Sequence, residues 1–141
     1  MIILDTNVVS ELMKAVPEPA VLGWIDGLPM ASVFLSSVSQ GEILYGVALV
    51  PPGKRQDGLL SAAHAAFETY FRGRILPYDS EAAEAYAEIA ANRRQAGRPI
   101  SQFDAQIAAI ARSRGAELAT RNIADFEDCG VELINPWERK A

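Results

Sequence analysis

The most constraining feature of this 141-residue chain is its first seven residues, with the sequence MIILDTN. A short apolar run rich in β-branched residues predicts a buried strand, because it is too short to form a helix. Thr6 and Asn7 favour helix caps, and the apolar residues that follow recur at helical spacing. Asp5 is therefore predicted at the carboxyl end of a strand, just where a helix begins. In open α/β sheets this is where ligands bind.

Short strands alternate with helices along the rest of the chain. Further strands are predicted at residues 33–35, 74–78, 118–120 and 131–134. Pro77 confines its strand to a sheet edge, because proline cannot donate to the ladder. A long amphipathic helix is predicted between Lys54 and Arg72, and Gly73 is expected to end it. The alternation predicts a mostly parallel, roughly five-stranded sheet covered on both faces, in a single three-layer α/β/α domain over residues 1–141.

Composition limits the classes of function that this chain can have. Half of the residues are hydrophobic, which excludes a disordered chain. No apolar run approaches the length of a membrane span and no basic segment precedes the first one, so a cytoplasmic protein is expected. A single cysteine, Cys129, and a single histidine, His64, exclude a disulfide framework and a zinc centre built on those residues. The net charge of −5 argues against a nucleic-acid partner unless bound metal changes the local sign.

Three further acidic residues are predicted close to Asp5. Glu42 lies at the start of the helix that follows the second strand, and Asp125 follows the fourth strand by a few residues. Parallel strands would bring both to the edge of the sheet that Asp5 occupies. Asp104 has no strand directly before it, and its expected position rests on the first turn of its own helix.

Each of these acids also has a purely structural interpretation. Ser39-x-x-Glu42 and Ser101-x-x-Asp104 match the capping-box pattern, and Asp125 suits a turn. Taken together, however, carboxylates without an intervening lysine repel one another by a few kcal/mol at an effective dielectric constant of about 20. Divalent cations relieve that repulsion, and oxygen ligands without histidine or cysteine favour Mg²⁺ or Mn²⁺. Such a site activates water for phosphodiester cleavage.

Five motifs in order resemble one known family. They are LDTNV at 4–8, SQGEILYG at 39–46, FDAQIAA at 103–109, ATRN at 119–122 and NPW at 135–137. These motifs resemble the PIN domain, and more closely the VapC and FitB type of toxin ribonuclease from type II toxin–antitoxin systems. The resemblance implies a Mg²⁺- or Mn²⁺-dependent endoribonuclease, usually a homodimer. It also implies inhibition by a small cognate antitoxin that carries the DNA-binding part.

The resemblance assigns the acids residue by residue. Asp5, Glu42 and Asp104 match the metal-binding and catalytic acids of the family. Many relatives have a fourth acid directly after the Thr-Arg pair, where this chain has Asn122. Asp125 resembles an alternative acid of other members and is a further candidate catalytic residue. Asn122 and Asp125 therefore both stand as candidates for the fourth ligand.

Other polar residues are given supporting roles. Positions implied to hold water or substrate are Thr6, Asn7, Thr120 and Asn122. Arginines that could contact RNA phosphates are Arg93, Arg94, Arg98 and Arg121, although a solvated helix face explains the first two equally well.

Two other functions compete with the ribonuclease. A phosphatase of the haloacid-dehalogenase kind also has an Asp nucleophile after its first strand, but its usual second Asp is replaced here by Asn7. An inactive PIN-like module that binds RNA or a partner gains support from Asn122. The phosphatase also lacks a suitable lysine later in the chain, and a binding module has no reason to keep three acids that repel one another. The sequence does not encode legibly which RNA would be cut.

Overall fold

Five parallel strands form a single sheet with the first strand at its centre. The computed structural model describes residues 1–138, so the last three residues of the predicted domain lie outside the described residues. The strands are β1 (Ile2–Leu4), β2 (Val33–Ser36), β3 (Ile75–Leu76), β4 (Glu117–Ala119) and β5 (Leu133–Ile134). Their order across the sheet is β3-β2-β1-β4-β5, and every neighbouring pair is parallel. The predicted five-stranded parallel sheet is confirmed.

Helices connect the strands and cover the sheet. The α-helices are α1 (Thr6–Leu12), α2 (Pro19–Asp26), α3 (Ser37–Ala48), α4 (Lys54–Ala65), α5 (Ser80–Gln95) and α6 (Gln102–Ser113), and short 3₁₀ helices span Met30–Ser32 and Ile123–Phe126. Within the described residues, no helix has the length and apolar character needed to cross a membrane.

The two faces of the sheet bury different residues of the same strands. Ile3 and Leu118 are fully buried in a cluster that includes the apolar faces of α5 and α6. Leu4 and Leu35 are fully buried in a second cluster, with side chains from α1, α2, α3 and α4. Successive side chains of a strand point to opposite faces, so short strands without polar alternation can be buried on both. The three-layer α/β/α prediction is confirmed.

The edge strands are shorter than predicted. The strand expected over 74–78 forms ladder bonds only at Ile75–Leu76, and the one expected over 131–134 only at Leu133–Ile134. Each lies at an edge of the sheet and pairs with one neighbour, which limits the length of the ladder. The edge position that Pro77 required is confirmed.

The long helix predicted up to Arg72 changes its geometry before it ends. Helix α4 stops at Ala65 and continues as a wider π-helical turn over Ala66–Tyr70, in which the Phe71 N–H donates to the Ala66 carbonyl (2.9 Å). Phe67, inside this turn, and Phe71, directly after it, are both buried in the same part of the core.

Candidate active site

A cavity of about 460 Å³ opens beside the carboxyl ends of β1 and β4. Asp5, Glu42 and Asp104 all line it, although they lie on three different elements of the chain. The strand before Asp5 and the strand before α3 are parallel neighbours, which brings the first two acids to one edge. The structure therefore brings together three of the four acids that the sequence predicts near one another.

Asp5 is the most deeply placed of the three acids. It is only 5% exposed and is the N-cap of α1. One carboxylate oxygen accepts from the Thr6 N–H (2.8 Å), and the other accepts from the Thr120 hydroxyl (2.9 Å). Burial raises the pKa of Asp5 to about 6, and the charges of Asp104 and Glu42 add to the rise against the two hydrogen bonds.

Glu42 enters the cavity from inside a helix rather than from its first turn. It is the sixth residue of α3, whose N-cap is Ser36, with the Ser36 hydroxyl accepting from the Ser39 N–H (3.0 Å). The predicted capping box between Ser39 and Glu42 is wrong, because β2 is one residue longer than expected and α3 begins at Ser37. Glu42 Oε1 instead accepts from the Thr6 hydroxyl (2.7 Å).

Asp104 is the third residue of α6 and is half-buried. Its N–H donates to the hydroxyl of the N-cap Ser101 (3.2 Å), so one half of the predicted capping box is present. Burial raises the pKa of Asp104, and the charges of Asp125 and Glu42 raise it further. The capping residue fixes the start of α6 and thereby the direction of the Asp104 carboxylate.

The two candidates for the fourth ligand occupy different positions. Asn122 lines the cavity, and its N–H donates to the Thr120 hydroxyl oxygen (3.1 Å). Asp125 lies on the short 3₁₀ helix, is exposed, and is not part of the cavity wall. Its charge still reaches Asp104, since it contributes to the raised pKa of that residue. Asn122 is the better placed of the two.

The threonines at the site hold carboxylates. Thr120 is fully buried and has both hydroxyl functions occupied, one by Asp5 and one by the Asn122 N–H. The Thr6 hydroxyl donates to Glu42, and its oxygen lies 2.9 Å from the hydroxyl oxygen of Ser39. These residues fix the orientation of Asp5 and Glu42. No local pattern predicts this contact of Ser39, because its partner Thr6 lies 33 residues away.

The residues at this edge suit a hard divalent cation in charge and in donor type. Carboxylate oxygens and the Asn122 amide oxygen are ligands that Mg²⁺ and Mn²⁺ accept. Burial and neighbouring carboxylates raise the pKa values of Asp5 and Asp104. A bound cation would offset both effects, because its positive charge favours the ionised carboxylates. Within residues 1–138, no group of three or more Asp, Glu, His or Cys side chains is close enough together to hold a metal ion. Binding would require these side chains to converge further.

The cavity also has a basic wall, which the sequence revealed only in part. Lys14 and Arg121 both line it, and Lys14 Nζ lies 3.0 Å from Glu11 Oε1. The Arg121 guanidinium carbon lies 5.0 Å from the centre of the Trp137 ring. The Glu11–Lys14 pair follows from i,i+3 helical spacing. No local pattern relates Trp137 to the site, although its motif was part of the family resemblance.

Arg93 is not the surface arginine that the sequence suggested. It is 6% exposed, and its guanidinium donates to the carbonyls of Arg98 (2.7 Å), Asp125 (2.9 Å) and Glu127 (3.0 Å). A contact between Arg93 and RNA is therefore excluded in this structure. Arg98 is engaged as well, in ion pairs with Glu127 and Asp128.

The parallel sheet is covered by helices on both faces, and an acidic cavity opens at the carboxyl ends of its strands. These two features define a class of α/β/α proteins with an acidic site. Within that class, the family model described as the PIN domain matches residues 2–130. The chain belongs to the PIN-domain family. The comparison favours this family over the phosphatase alternative.

Relatives of known name resemble the chain over almost its whole length. It is 41% identical to the VapC ribonuclease Y4jK of Sinorhizobium fredii, over 98% of this chain and 99% of that protein. It is 37% identical to the toxin FitB of Neisseria gonorrhoeae, over 97% and 99% of the two chains. A structure of FitAB bound to an IR36 DNA fragment matches with a TM-score of 0.92 and 36% identity, over 100% of this chain and 99% of the other.

Proposed function

We propose that this protein is the toxin of a type II toxin–antitoxin pair and acts as a metal-dependent endoribonuclease. The observation that carries the proposal is the convergence of Asp5, Glu42 and Asp104 on one cavity, where burial and neighbouring carboxylates raise the pKa values of Asp5 and Asp104. A binding module gains nothing from carboxylates that repel one another. The names of the relatives, a VapC ribonuclease and the toxin FitB, support the same activity.

The chemistry assigned to the site needs no protein nucleophile. Asp5, Glu42 and Asp104 would hold Mg²⁺ or Mn²⁺, with Asn122 as the fourth oxygen donor. Such an ion, when bound, lowers the pKa of water and neutralises charge on the phosphate. Thr120 keeps Asp5 in its orientation throughout. Water adds to phosphorus and the bond to the 3′ oxygen breaks, which leaves a 5′-phosphate and a 3′-hydroxyl.

The proposed biological setting follows from the relatives. FitAB is a complex with a DNA fragment, and its matching chain covers the whole of this one. We extend this to a small cognate antitoxin that inhibits the present chain and carries the DNA-binding part. A homodimer of the toxin is part of the same proposal. A cytoplasmic location, where RNA would be the substrate, is part of the same proposal.

The test is cleavage of total cellular RNA by purified, antitoxin-free protein with Mg²⁺ or Mn²⁺. Asp5→Asn removes a carboxylate from the cavity, whereas Asp57→Asn removes an exposed one from the first turn of α4 and is the matched control. We expect discrete fragments with 5′-phosphates from wild type and Asp57→Asn. EDTA and Asp5→Asn should each reduce the rate by at least about a thousandfold.

One result would contradict the role assigned to Asp5, and another would contradict the ribonuclease activity itself. Wild-type cleavage rates from a folded Asp5→Asn variant would exclude Asp5 as a ligand. No cleavage by the folded wild-type protein with either metal, across total RNA, would favour the inactive RNA- or partner-binding module instead.

A further inference from the structure

The basic wall of the cavity contains an arginine, Arg121, whose backbone and side chain are both held by contacts with other parts of the chain. Arg121 directly follows Thr120, the residue that holds Asp5, and it is exposed. Its guanidinium lies over the Trp137 ring at 5.0 Å from the ring centre, a cation–π arrangement. The ring restricts the arginine side chain, and Arg121 itself lines the cavity.

The backbone of Arg121 is held from both sides. Its N–H donates to Asn7 Oδ1 (3.4 Å), and its carbonyl accepts from Asn135 Nδ2 (3.4 Å). Asn135 Oδ1 in turn accepts from the Trp137 N–H (3.0 Å). The two asparagines tie the ends of β1 and β4 to the turn that follows β5. Arg121 is therefore positioned by two separate parts of the chain, Asn7 and the turn that holds Asn135 and Trp137.

The two cations of this wall differ in their charge partners. Lys14 is paired with Glu11, and the second oxygen of Glu11 accepts from the Glu18 N–H (3.1 Å), so both oxygens of that carboxylate have a partner. Arg121 has no carboxylate within 4 Å in residues 1–138. Its charge nevertheless reaches Glu11 and helps to lower the pKa of that residue, after the larger effect of Lys14. Arg121 thus remains available to an anion from outside the chain.

We propose that Arg121, supported by Trp137, binds a phosphodiester group of single-stranded RNA next to the one that is cut. Asp5, Glu42 and Asp104 line the same cavity and would hold the cation, so the scissile phosphate belongs beside them and Arg121 is left for a neighbouring phosphate. The fork of a guanidinium matches the geometry of a phosphate oxygen pair. This inference rests on the proposed function for the identity of the ligand, but it can be tested without cleavage.

The experiment measures binding in EDTA, where metal-dependent hydrolysis is stopped. The probe is a fluorescent single-stranded RNA of about ten nucleotides, followed by anisotropy at several KCl concentrations. Arg121→Gln is compared with Arg72→Gln, which removes the same charge from an exposed residue ahead of β3, at the amino ends of the strands. Trp137→Leu removes the supporting ring, and Trp137→Phe retains an aromatic face.

We expect Arg121→Gln to weaken binding about tenfold, the value of one charge-assisted hydrogen-bonded contact. The slope of log K against log salt should fall in magnitude by about 0.7, because one phosphate contact is lost from a single strand. Trp137→Leu should cost about threefold, and Trp137→Phe less. Arg72→Gln should change neither quantity, and melting temperatures will show whether each variant is folded.

Equal affinities and salt slopes for Arg121→Gln and Arg72→Gln would overturn the proposal. So would unchanged RNA binding by Arg121→Gln accompanied by lost binding of a fluorescent oligoglutamate peptide, since the arginine would then serve a protein carboxylate. If the wild type binds through Arg121 but cleaves no RNA with any metal, the phosphate site stands and the proposed nuclease fails. If the wild type cleaves RNA but Arg121→Gln and Arg72→Gln bind RNA equally well, the proposed nuclease stands and the phosphate site at Arg121 fails.

Discussion

Asp5 and Arg93 are both buried charged residues, and their surroundings differ completely. The Arg93 guanidinium is surrounded by the carbonyls of Arg98, Asp125 and Glu127, which are neutral acceptors that compensate its burial. Asp5 has two donors, but the charges that reach it most strongly, from Asp104 and Glu42, are of its own sign. The chain therefore compensates the buried charge of Arg93 but leaves that of Asp5 among charges of the same sign.

The difference separates a structural charge from a functional one. A buried ion that is fully bonded strengthens the particular fold that bonds it, and its removal leaves unsatisfied partners. A buried ion among like charges weakens the fold and is explained only by a ligand that restores the balance. Four changes can test this division, from the largest expected effect on free energy to the smallest.

Arg93→Met should destabilise the protein by about 3–5 kcal/mol, because three carbonyls lose a buried donor. Arg94→Gln, in the next position but exposed, should change the free energy of unfolding by less than about 0.5 kcal/mol. Urea denaturation measures both. Similar midpoints for the two variants would show that the Arg93 contacts contribute little.

Asp5→Asn should stabilise the metal-free protein at neutral pH. The pKa of Asp5 is raised from 3.8 to about 6 in the folded state, so ionisation costs folding free energy as the pH rises between these values. The variant should exceed wild type by up to about 3 kcal/mol at pH 7.5 in EDTA, and by nothing near pH 3.8 or below. Denaturation at several pH values gives the difference. If the gain in unfolding free energy of Asp5→Asn did not depend on pH, ionisation of the Asp5 carboxylate would not be its cause.

Mg²⁺ or Mn²⁺ should raise the melting temperature of wild type and not that of Asp104→Asn. At a metal concentration of about a hundred times Kd, the stabilisation is about 2.7 kcal/mol. Asp57→Asn again serves as the exposed control and should respond as wild type does. Equal shifts in all three proteins would mean that the cation binds elsewhere.

Asn122→Asp should tighten metal binding by about tenfold, because it adds a carboxylate to the cavity wall. It should also lower the melting temperature in EDTA, since the new charge repels its neighbours. Asp125→Asn should alter metal affinity by less than about twofold, because Asp125 is exposed and outside the wall. Isothermal titration with Mn²⁺ compares them. Strong loss of affinity in Asp125→Asn would make that residue the fourth ligand.

Much of the fold was predictable because its signals are local. The apolar runs before Asp5 and around Val33 became β1 and β2, and Pro77 correctly marked an edge strand. The π-helical turn after α4 was not predictable, because it depends on how Phe67 and Phe71 meet the core. The lengths of the edge strands depend on a partner strand, which the sequence of one segment does not specify.

The site was predictable in its acids and much less so in their supports. Asp5, Glu42 and Asp104 follow from the parallel sheet and from the family motifs together. The bond from Thr120 to Asp5 joins residues 115 apart, and the burial of Arg93 depends on the loop that carries Asp125. Such pairings need the folded chain, because the same residue types are equally common on surfaces.

The central position of β1 has a consequence for how the protein is made. β1 precedes the other strands of this sheet in the chain, yet it pairs with β2 and β4, which come about 30 and 115 residues later. Long-range pairing of this kind forms late in folding. A nascent chain that has not reached Asn122 lacks the support of Asp5 and part of the cavity wall. On the proposed function, translation therefore yields no active nuclease until Thr120 and Asn122 have been synthesised.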